Sequence, residues 1–263
     1  MGIFNKFFSI TKDINTGYKI FYILGLKFKF SRADIYHNQK INNIYSKLNN
    51  IEIRFQKIEN WINNFYKNRP EYYPISLSKN EQNILCKYYS KTRNCLEFGS
   101  GGSTFLALLN SDCFVYSVES DKFWIDYLKS YKIINTSENK RLKLIYADIG
   151  ETGAWGYPLN NDNTEKFTNY HEKVFENFNA KEIDMVFVDG RFRVACVLST
   201  ILHCSDNIDI LIHDYTFREE YHVVEEFLDL INTVDSLCIF KIKNNIDKEK
   251  VRKLYKQYKL VTK

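Results

Sequence analysis

The sequence has few of the residues that break or cross-link a chain. It contains three prolines, ten glycines and six cysteines among 263 residues, and no two cysteines form a CxxC pair. So little glycine and proline excludes a collagen-like or low-complexity chain. The scattered cysteines predict neither a disulfide framework nor a zinc site, and they are typical of a reducing compartment. We therefore expect a cytoplasmic protein.

Long apolar runs are also missing. The longest one near the start, IFYILGL over 20–26, has seven residues, whereas a membrane-spanning helix needs about 20. The first residues also lack the pattern of a signal peptide. The composition is nonetheless 44% hydrophobic and 16% aromatic, which is enough for a substantial core. The length suits one domain with an appendage.

Charge of one sign is concentrated at the two ends. Residues 1–60 have ten Lys and Arg against four Asp and Glu, and residues 241–263 have nine against two, whereas residues 61–240 have a net charge of −8. A nucleic-acid-binding domain should be basic on its folded body, so we expect no nucleic-acid partner. The basic ends either contact an anionic membrane surface weakly or are simply solvated, and the sequence leaves both open.

The first 68 residues form two predicted segments. Residues 1–36 alternate apolar and basic side chains, which predicts one or two short strands with a turn at Gly25. Residues 37–68 predict a long amphipathic helix, because its apolar residues follow 3-4 spacing. These residues are Ile41, Ile44, Leu48, Ile51, Phe55, Ile58, Ile62 and Phe65.

The same helix has the charge pattern of a parallel coiled coil. With Ile41 at position a of the heptad, Lys47 and Arg54 occupy g, and Glu52 and Glu59 occupy e of the following heptad. The pattern favours a homodimer through residues 41–65. The alternative is a single helix that packs its apolar stripe on its own domain.

From residue 75 to 243 short apolar strands alternate with helices, before a basic C-terminal helix in 244–263. Alternation of this kind predicts an α/β fold with a Rossmann-like, doubly wound and mostly parallel sheet. Ligands of such sheets bind at the carboxyl ends of the strands. The predicted strands are 94–98, 114–119, 142–148, 184–189, 210–214 and 236–242, and the predicted helices are 79–90, one from Ser103, 121–132, 192–204 and 219–232.

The segment LEFGSGGST (96–104) is a strand, a glycine turn and a helix start. Gly99 and Gly101 allow a sharp turn close to a ligand, and Glu119, twenty residues after Gly99, is placed to bind ribose hydroxyls. Thr104 stands where a dinucleotide fingerprint has Gly or Ala. Glu97 would repel a pyrophosphate but attract an ammonium group, which favours S-adenosylmethionine (SAM) over NAD.

At these residues the sequence resembles the class I SAM-dependent methyltransferases, over roughly residues 78–242. EFGSGGS corresponds to the first motif of the family, Glu119 to its ribose-binding acid, and YADIG (146–150) to the region around adenine. The resemblance implies that Asp148 accepts a hydrogen bond from the adenine amino group. The resemblance implies cofactor-binding roles for Glu97, Gly99, Ser100, Gly101, Gly102, Ser103, Glu119, Ser120, Asp148, Ile149 and Asp189.

A narrower resemblance involves DIGETGAWGYP (148–158), VDGRFRVAC (188–196) and LIHDY (211–215). These segments resemble bacterial methyltransferase-domain proteins associated with surface glycans. The VDG and HDY segments are also similar to metal-assisted sugar and macrolide O-methyltransferases, which implies a possible Mg²⁺ at Asp189 and Asp214. The sequence departs from them at 191–193, where RFR replaces a His-containing stretch, and at His213, where an acid is common.

Methyl transfer to a hydroxyl requires removal of its proton, by a base or with help from a metal ion. Asp189 and Asp214 suit either role, His213 is an alternative base, and His171 is a further one. Alternatively, His213 has no catalytic role and is a histidine at the end of a strand whose ring forms hydrogen bonds with the backbone.

Two further features concern the methyl acceptor. Arg191 and Arg193 either bind a carboxylate or phosphate of the acceptor or form ion pairs with Asp189 or Glu172. The long stretch 149–170 predicts a lid that carries Trp155 and Tyr157 over the acceptor.

The sequence therefore predicts a SAM-dependent methyltransferase that O-methylates a sugar or glycan precursor of surface polysaccharide. One alternative is a methyltransferase for a non-sugar small molecule or an amine. Another, from a different class, is a non-catalytic scaffold that retains the fold to present its coiled coil and basic ends.

Overall fold

The computed structural model describes residues 8–12, 19–23, 26–30, 38–67, 72–160 and 162–262. The chain divides into two compact units, Met1–Pro70 and Glu71–Lys263. None of the described helices has the length and hydropathy needed to span a bilayer.

The first unit contains a small antiparallel sheet and one long helix. The strands β1 (Phe8–Lys12), β2 (Lys19–Ile23) and β3 (Leu26–Phe30) pair in that order. Ile23 pairs with Leu26, so β2 and β3 form a tight hairpin, although Gly25 itself lies outside the described residues. The sequence predicted one or two strands here, and the structure has three.

Helix α1 (Asn38–Lys67) extends over the predicted coiled-coil segment. Its apolar stripe is largely exposed, since Ile44, Ile51, Phe55 and Ile58 each retain at least 40% of their accessible surface. The side chains of Ile41, Ile62 and Phe65 lie outside the described part of this helix. Pairing of the helix with a second copy therefore stays a prediction.

The second unit is built on a seven-stranded sheet in the order β6-β5-β4-β7-β8-β10-β9. Strands β4 to β8 run parallel, while β10 is antiparallel to both of its neighbours. This arrangement confirms the predicted Rossmann-like fold. The strands are β4 (Asn94–Phe98), β5 (Phe114–Glu119), β6 (Leu142–Tyr146), β7 (Met185–Val188), β8 (Asp209–Ile212), β9 (Leu228–Val234) and β10 (Leu237–Ile242).

Helices cover both faces of this sheet and enclose two apolar clusters. Leu96 and Phe98 of β4 belong to one cluster, and Cys95 belongs to the other, as expected for a strand buried on both faces. The helices are α2 (Lys79–Tyr89), α3 (Gly102–Asn110), α4 (Lys122–Lys129), α5 (Lys132–Ser137), α6 (Thr168–His171), α7 (Arg193–His203) and α8 (Lys248–Tyr258).

Two predicted helices differ from those observed. The one predicted over 121–132 is divided into α4 and α5. The one predicted over 219–232 is wrong: residues 219–226 form a 3-10 helix, and β9 follows from Leu228 to Val234. The β-branched Ile231, Thr233 and Val234 favour a strand, and β9 pairs with β10 on the side that β8 leaves open.

A close contact between two loops fixes where the site forms. Gly99, directly after β4, has φ +99°, and a Cβ there would lie 2.7 Å from the Cα of Gly190, after β7. A Cβ on Gly190 would lie 2.0 Å from the Tyr170 hydroxyl. Only glycine allows this approach, which brings the turn after β4 against the turn after β7.

Candidate active site

A cavity of about 750 Å³ opens at the carboxyl ends of the parallel strands, within the usual size range of small-molecule sites. One side is formed by the glycine turn and the end of β5, and the other by the residues that follow β7 and β8. Of the predicted site residues, those in its wall are Gly99, Ser100, Gly101, Gly102, Ser103, Glu119, Asp189, Arg191, His213 and Asp214.

The glycine turn is held from several sides. The Ser100 hydroxyl lies 2.7 Å from that of Ser117, and the Trp124 indole nitrogen donates to the Ser100 carbonyl over 2.8 Å. The Gly101 amide donates to the Thr104 hydroxyl. Because α3 begins at Gly102, the turn presents backbone amides at a helix N-terminus towards the cavity.

Glu97 lies beneath this turn and not in the wall of the cavity. It has no exposed surface, and its carboxylate accepts hydrogen bonds from Ser103, from Thr104 (2.6 Å) and from Ser117 (2.5 Å). Burial raises the pKa of Glu97. The hydrogen bonds from the three hydroxyls lower it in part, and the net pKa is about 7. The direct contact with an ammonium group that the sequence predicted is therefore revised, since Glu97 supports the turn from below.

Glu119 ends β5 and does face the cavity. Its Oε1 accepts hydrogen bonds from the amides of Ser120 (2.7 Å) and Asp121 (2.9 Å), and burial raises its pKa. These contacts fix the carboxylate where ribose hydroxyls could donate to it. Ser120 is absent from the cavity wall, and its hydroxyl donates to the carbonyl of Gly156 over 3.3 Å.

Asp148 and Ile149 also lie outside the wall of the cavity. The Asp148 carboxylate accepts from the Gly150 amide (2.9 Å) and pairs with Lys166 (3.0 Å), and both contacts lower its pKa. Ile149 is buried in the core. The family resemblance gives these residues contacts with adenine, which the structure does not test.

The stretch 149–170 does border the cavity, as the lid prediction requires. Trp155, Gly156 and Tyr157 are part of its wall. Trp155 is 83% exposed and has φ +60°, a strained conformation for a bulky residue. This segment is held by the Ser120–Gly156 hydrogen bond and by the Tyr157 ring, whose centre lies 4.0 Å from the Arg191 guanidinium, and its role as a lid stays a prediction.

The other side of the cavity contains a charged cluster around His213. Its Nδ1 lies 2.9 Å from Asp189 Oδ1 and 3.7 Å from Asp214 Oδ1, and its Nε2 lies 3.5 Å from Glu81 Oε2. Burial alone would lower the pKa of His213, but Asp189, then Asp214 and Glu81, raise it. His213 therefore has a carboxylate next to each of its ring nitrogens, Asp189 at Nδ1 and Glu81 at Nε2.

Sequence reasoning missed Glu81, which lies in α2, far from the motifs along the chain. Burial alone would raise its pKa, but hydrogen bonds from Ser236 and Ser78 outweigh burial and lower it. A charged side chain in the first turn of a helix, three residues after the capping Ser78, resembles an ordinary capping box. No sequence signal distinguished it from one.

Arg193 joins the two acids of the cluster. Its Nη2 lies 3.2 Å from Asp189 Oδ1 and 3.2 Å from Asp214 Oδ2. Of the two roles that the sequence left open for it, the ion pair with Asp189 is the one observed. Glu172, the other suggested partner, binds His203 and Ser199 instead.

His171 does not belong to the site. It is completely buried, and its ring contacts the Lys259 carbonyl (3.0 Å) and the Tyr255 hydroxyl (3.1 Å). Burial lowers its pKa to about 4. The prediction of His171 as a base is therefore wrong, because the residue fastens the C-terminal segment to the domain.

The Mg²⁺ implied by the narrower resemblance does not fit this cluster. A divalent ion would need carboxylate oxygens that are free to bind it. Asp189 and Asp214 already share the buried Arg193 guanidinium, which occupies the space between them. We therefore derive no chemistry through a metal.

Comparison with known proteins agrees with the fold. No protein-family model and no curated protein matches the sequence. A solved methyltransferase-like protein from Silicibacter pomeroyi is 30% identical, with a TM-score of 0.63, and the match covers 74% of this chain and 99% of that one. The chain belongs to the same methyltransferase family, with a class I fold.

More distant structures share less. An O-methyltransferase from Bacillus cereus in complex with S-adenosylhomocysteine is 16% identical, with a TM-score of 0.45 over 70% of this chain and 89% of that one. The O-methyltransferase TomG from Streptomyces achromogenes, in complex with SAM, is 12% identical, with a TM-score of 0.44 over 65% and 82%. Neither likeness is close enough to carry an argument about this chain.

The buried Glu97 predicts a pH dependence of stability. Its pKa is about 7 when folded, against 4.5 as the ordinary value, so the folded state binds the proton more tightly. Stability should therefore fall as pH rises from about 4.5 to 7. Relative to Glu97→Gln, the wild-type free energy of unfolding should decrease on the order of 2 kcal/mol between about pH 5 and pH 8.

Urea unfolding of both proteins at the two pH values measures this difference, and the Gln variant cancels the titration of all other groups. Glu182→Gln, an exposed acid, is the matched control and should show no such change. A pH-independent difference between wild type and Glu97→Gln would contradict the assignment.

Proposed function

We propose that this methyltransferase uses SAM to O-methylate a sugar or glycan precursor of surface polysaccharide that has an acidic group. The observation that supports this most is one cavity with two distinct halves. A glycine turn with an acid that can bind ribose stands on one side, and a cluster of acids and cations on the other. The family relationship supports the donor half, whereas the acceptor is proposed from charge and shape.

In this proposal the donor lies along the ends of β4 and β5. The amides of the glycine turn bind the methionine end, and Glu119 binds the ribose. Glu97 keeps the turn in place through Ser103, Thr104 and Ser117. SAM has no phosphate, which suits a turn whose supporting carboxylate would disfavour further negative charge.

Asp189 is the base that this geometry favours. Its Oδ1 is bound by His213 and Arg193, and in the described part of the chain Oδ2 has no hydrogen-bond partner. His213 suits the role less well, because both of its ring nitrogens already lie next to carboxylates, those of Asp189 and Glu81. A positioned base can contribute about 10²–10⁴-fold to the rate.

The transfer is a single displacement at the methyl carbon. The acceptor hydroxyl oxygen forms the new O–CH₃ bond, and its proton passes to the Asp189 carboxylate. The S–CH₃ bond breaks with its electron pair staying on sulfur, so the sulfonium becomes the neutral thioether of S-adenosylhomocysteine. The contacts of His213 and Arg193 with Asp189 keep its carboxylate oriented while the proton moves.

One arginine in the acceptor half is available to a ligand, which supports an anionic acceptor. In the described residues Arg191 forms no ion pair, and its Nε is buried without a hydrogen-bond partner. Trp155 and Tyr157 offer aromatic faces nearby, on which a sugar ring could pack. The acids of this half are Glu81, Asp189 and Asp214, and its basic residues are Arg191, Arg193, Arg218 and His213.

Residues 41–65 are proposed to join two copies of the chain. The apolar stripe of α1 is exposed, and exposed apolar surfaces of this kind commonly bind another protein surface. The described side chains of Lys47, Glu52, Arg54 and Glu59 are also exposed. Their positions allow attractive g-to-e pairs between two parallel helices. A second copy of α1 supplies both the apolar surface and the complementary charges.

Donor binding is the first prediction of this proposal. Isothermal titration calorimetry should show one S-adenosylhomocysteine bound per chain. Glu119→Gln should weaken it by about 10- to 100-fold, because a charge-assisted hydrogen bond is lost. Glu182→Gln should bind as wild type does. Absence of binding to the folded wild-type protein would contradict the proposed enzyme and favour a scaffold.

Acceptor charge is the second prediction. Turnover of SAM with a labelled methyl group should be faster with methyl glucuronide than with methyl glucoside, a pair that differs in its carboxylate. Arg191→Gln should raise KM for the acid by about 10-fold, since an ionic hydrogen bond is lost. Donor affinity should not change.

Arg252→Gln, at an exposed ion pair of α8, is the control for loss of one positive charge. Equal turnover of both sugars, with Arg191→Gln as active as wild type, would contradict an anionic acceptor. Turnover of amines alone would instead identify the non-sugar alternative.

Dimerisation is the third prediction. Analytical ultracentrifugation of the intact chain should show a dimer. Lys47→Glu with Arg54→Glu should shift it towards monomer by placing like charges across the seam, and adding Glu52→Lys with Glu59→Lys should restore the dimer. Lys57→Glu, outside the seam, is the control. A monomeric wild-type protein would contradict the proposal.

A further inference from the structure

The charged cluster has the composition of a metal site. Asp189, His213 and Asp214 each offer a ligand atom, and these atoms lie within 4.8 Å of one another. Behind His213, Glu81 lies 3.5 Å from the second ring nitrogen. Metal-binding histidines commonly have a carboxylate in this position, which orients the ring.

A guanidinium group occupies the position between these carboxylates. Arg193 has 3% of its side chain exposed and bridges Asp189 and Asp214 through Nη2. Its Nε donates to the Gly190 carbonyl over 3.1 Å, and its Nη1 donates to the carbonyl of His213. Both backbone carbonyls belong to the turns that follow β7 and β8.

A metal ion could bind between the two carboxylates only if the Arg193 side chain moved away and gave up its other hydrogen bonds. Moving the side chain would leave two backbone acceptors unpaired and a charge buried, both of which cost free energy. Arg193 is also the first residue of α7, so its backbone is fixed beside the cavity. Its planar, permanent charge bridges two carboxylates as a divalent ion would.

We propose that Arg193 takes the place of a divalent cation in this cavity. It neutralises Asp189 and Asp214 and holds Asp189 in position, so the wild-type protein has no metal site, and removal of Arg193 creates one. The role of Asp189 in catalysis rests on the proposed function. Metal binding does not depend on it, and therefore the two can fail separately.

The test is Mn²⁺ binding by the intact protein, measured by calorimetry and by the loss of the electron paramagnetic resonance signal of free Mn²⁺. At about 1 mM free Mn²⁺ the wild type should bind none at this site. A site with a Kd of about 1 mM, which corresponds to a binding free energy of only about 4 kcal/mol, would be half occupied at this concentration. Arg193→Ala should bind one Mn²⁺ per chain. Arg193→Ala with Asp214→Asn should lose that binding.

Arg193→Gln is the second variant, because it keeps a donor for the backbone carbonyls if Arg193→Ala does not fold. Arg218→Ala is the matched control. It removes an arginine that is 37% exposed and lies 3.7 Å from Asp214, leaves Arg193 in place and should gain no Mn²⁺.

Two results would overturn the proposal. One is binding of Mn²⁺ by wild type that Asp214→Asn abolishes. The other is a folded Arg193→Ala or Arg193→Gln that binds no Mn²⁺. If neither variant folds, wild type decides the matter: the absence of binding and an unchanged Tm with Mn²⁺ support the proposal, and a raised Tm overturns it. Retention of methyl transfer in EDTA would extend the support to the reaction.

Discussion

The contact between Gly99 and Gly190 is the constraint on which the site depends. These glycines let the turns after β4 and β7 approach so closely that a Cβ on either one would collide with the other. The turn that can bind a donor is thereby placed against the turn that leads into Asp189 and Arg193. The two sides of one cavity, which we propose as the donor half and the acceptor half, are brought together by this approach.

The two halves of the cavity differ in the groups that bind their acidic side chains. On the donor side Glu97 is buried and bound by three hydroxyls, and Glu119 is fixed by two backbone amides. On the acceptor side Arg193 and His213 contact Asp189. The acids on one side are bound by hydroxyls and backbone amides, whereas Asp189 and Asp214 on the other are paired with the Arg193 guanidinium.

Much of this architecture could be predicted from the sequence because it depends on local patterns. The apolar strands and the glycine turn predicted β4 and β5 with their observed limits. Of the residues at strand ends, Glu119, Asp189, His213 and Asp214 met in one cavity as expected, whereas Glu97 and Asp148 did not. The helix over 219–232 failed because pairing with β10 outweighed the apparent helical periodicity. Edge pairing is a long-range effect that no local pattern contains.

The details of the site were harder to predict, since they depend on burial and on distant partners. Glu97 was expected to face the ligand, but its neighbours Ser103, Thr104 and Ser117 enclose it. Glu81 meets His213 only after the chain has folded. His171 has the residue type of a base but is buried against the C-terminal segment.

A crystal structure of the protein with S-adenosylhomocysteine tests the central claim most directly. The account predicts that the amino-acid end of the ligand lies on the amides of the glycine turn, that its ribose hydroxyls donate to Glu119, and that its sulfur faces Asp189. A ligand bound elsewhere, or one whose sulfur points away from Asp189, would contradict the account.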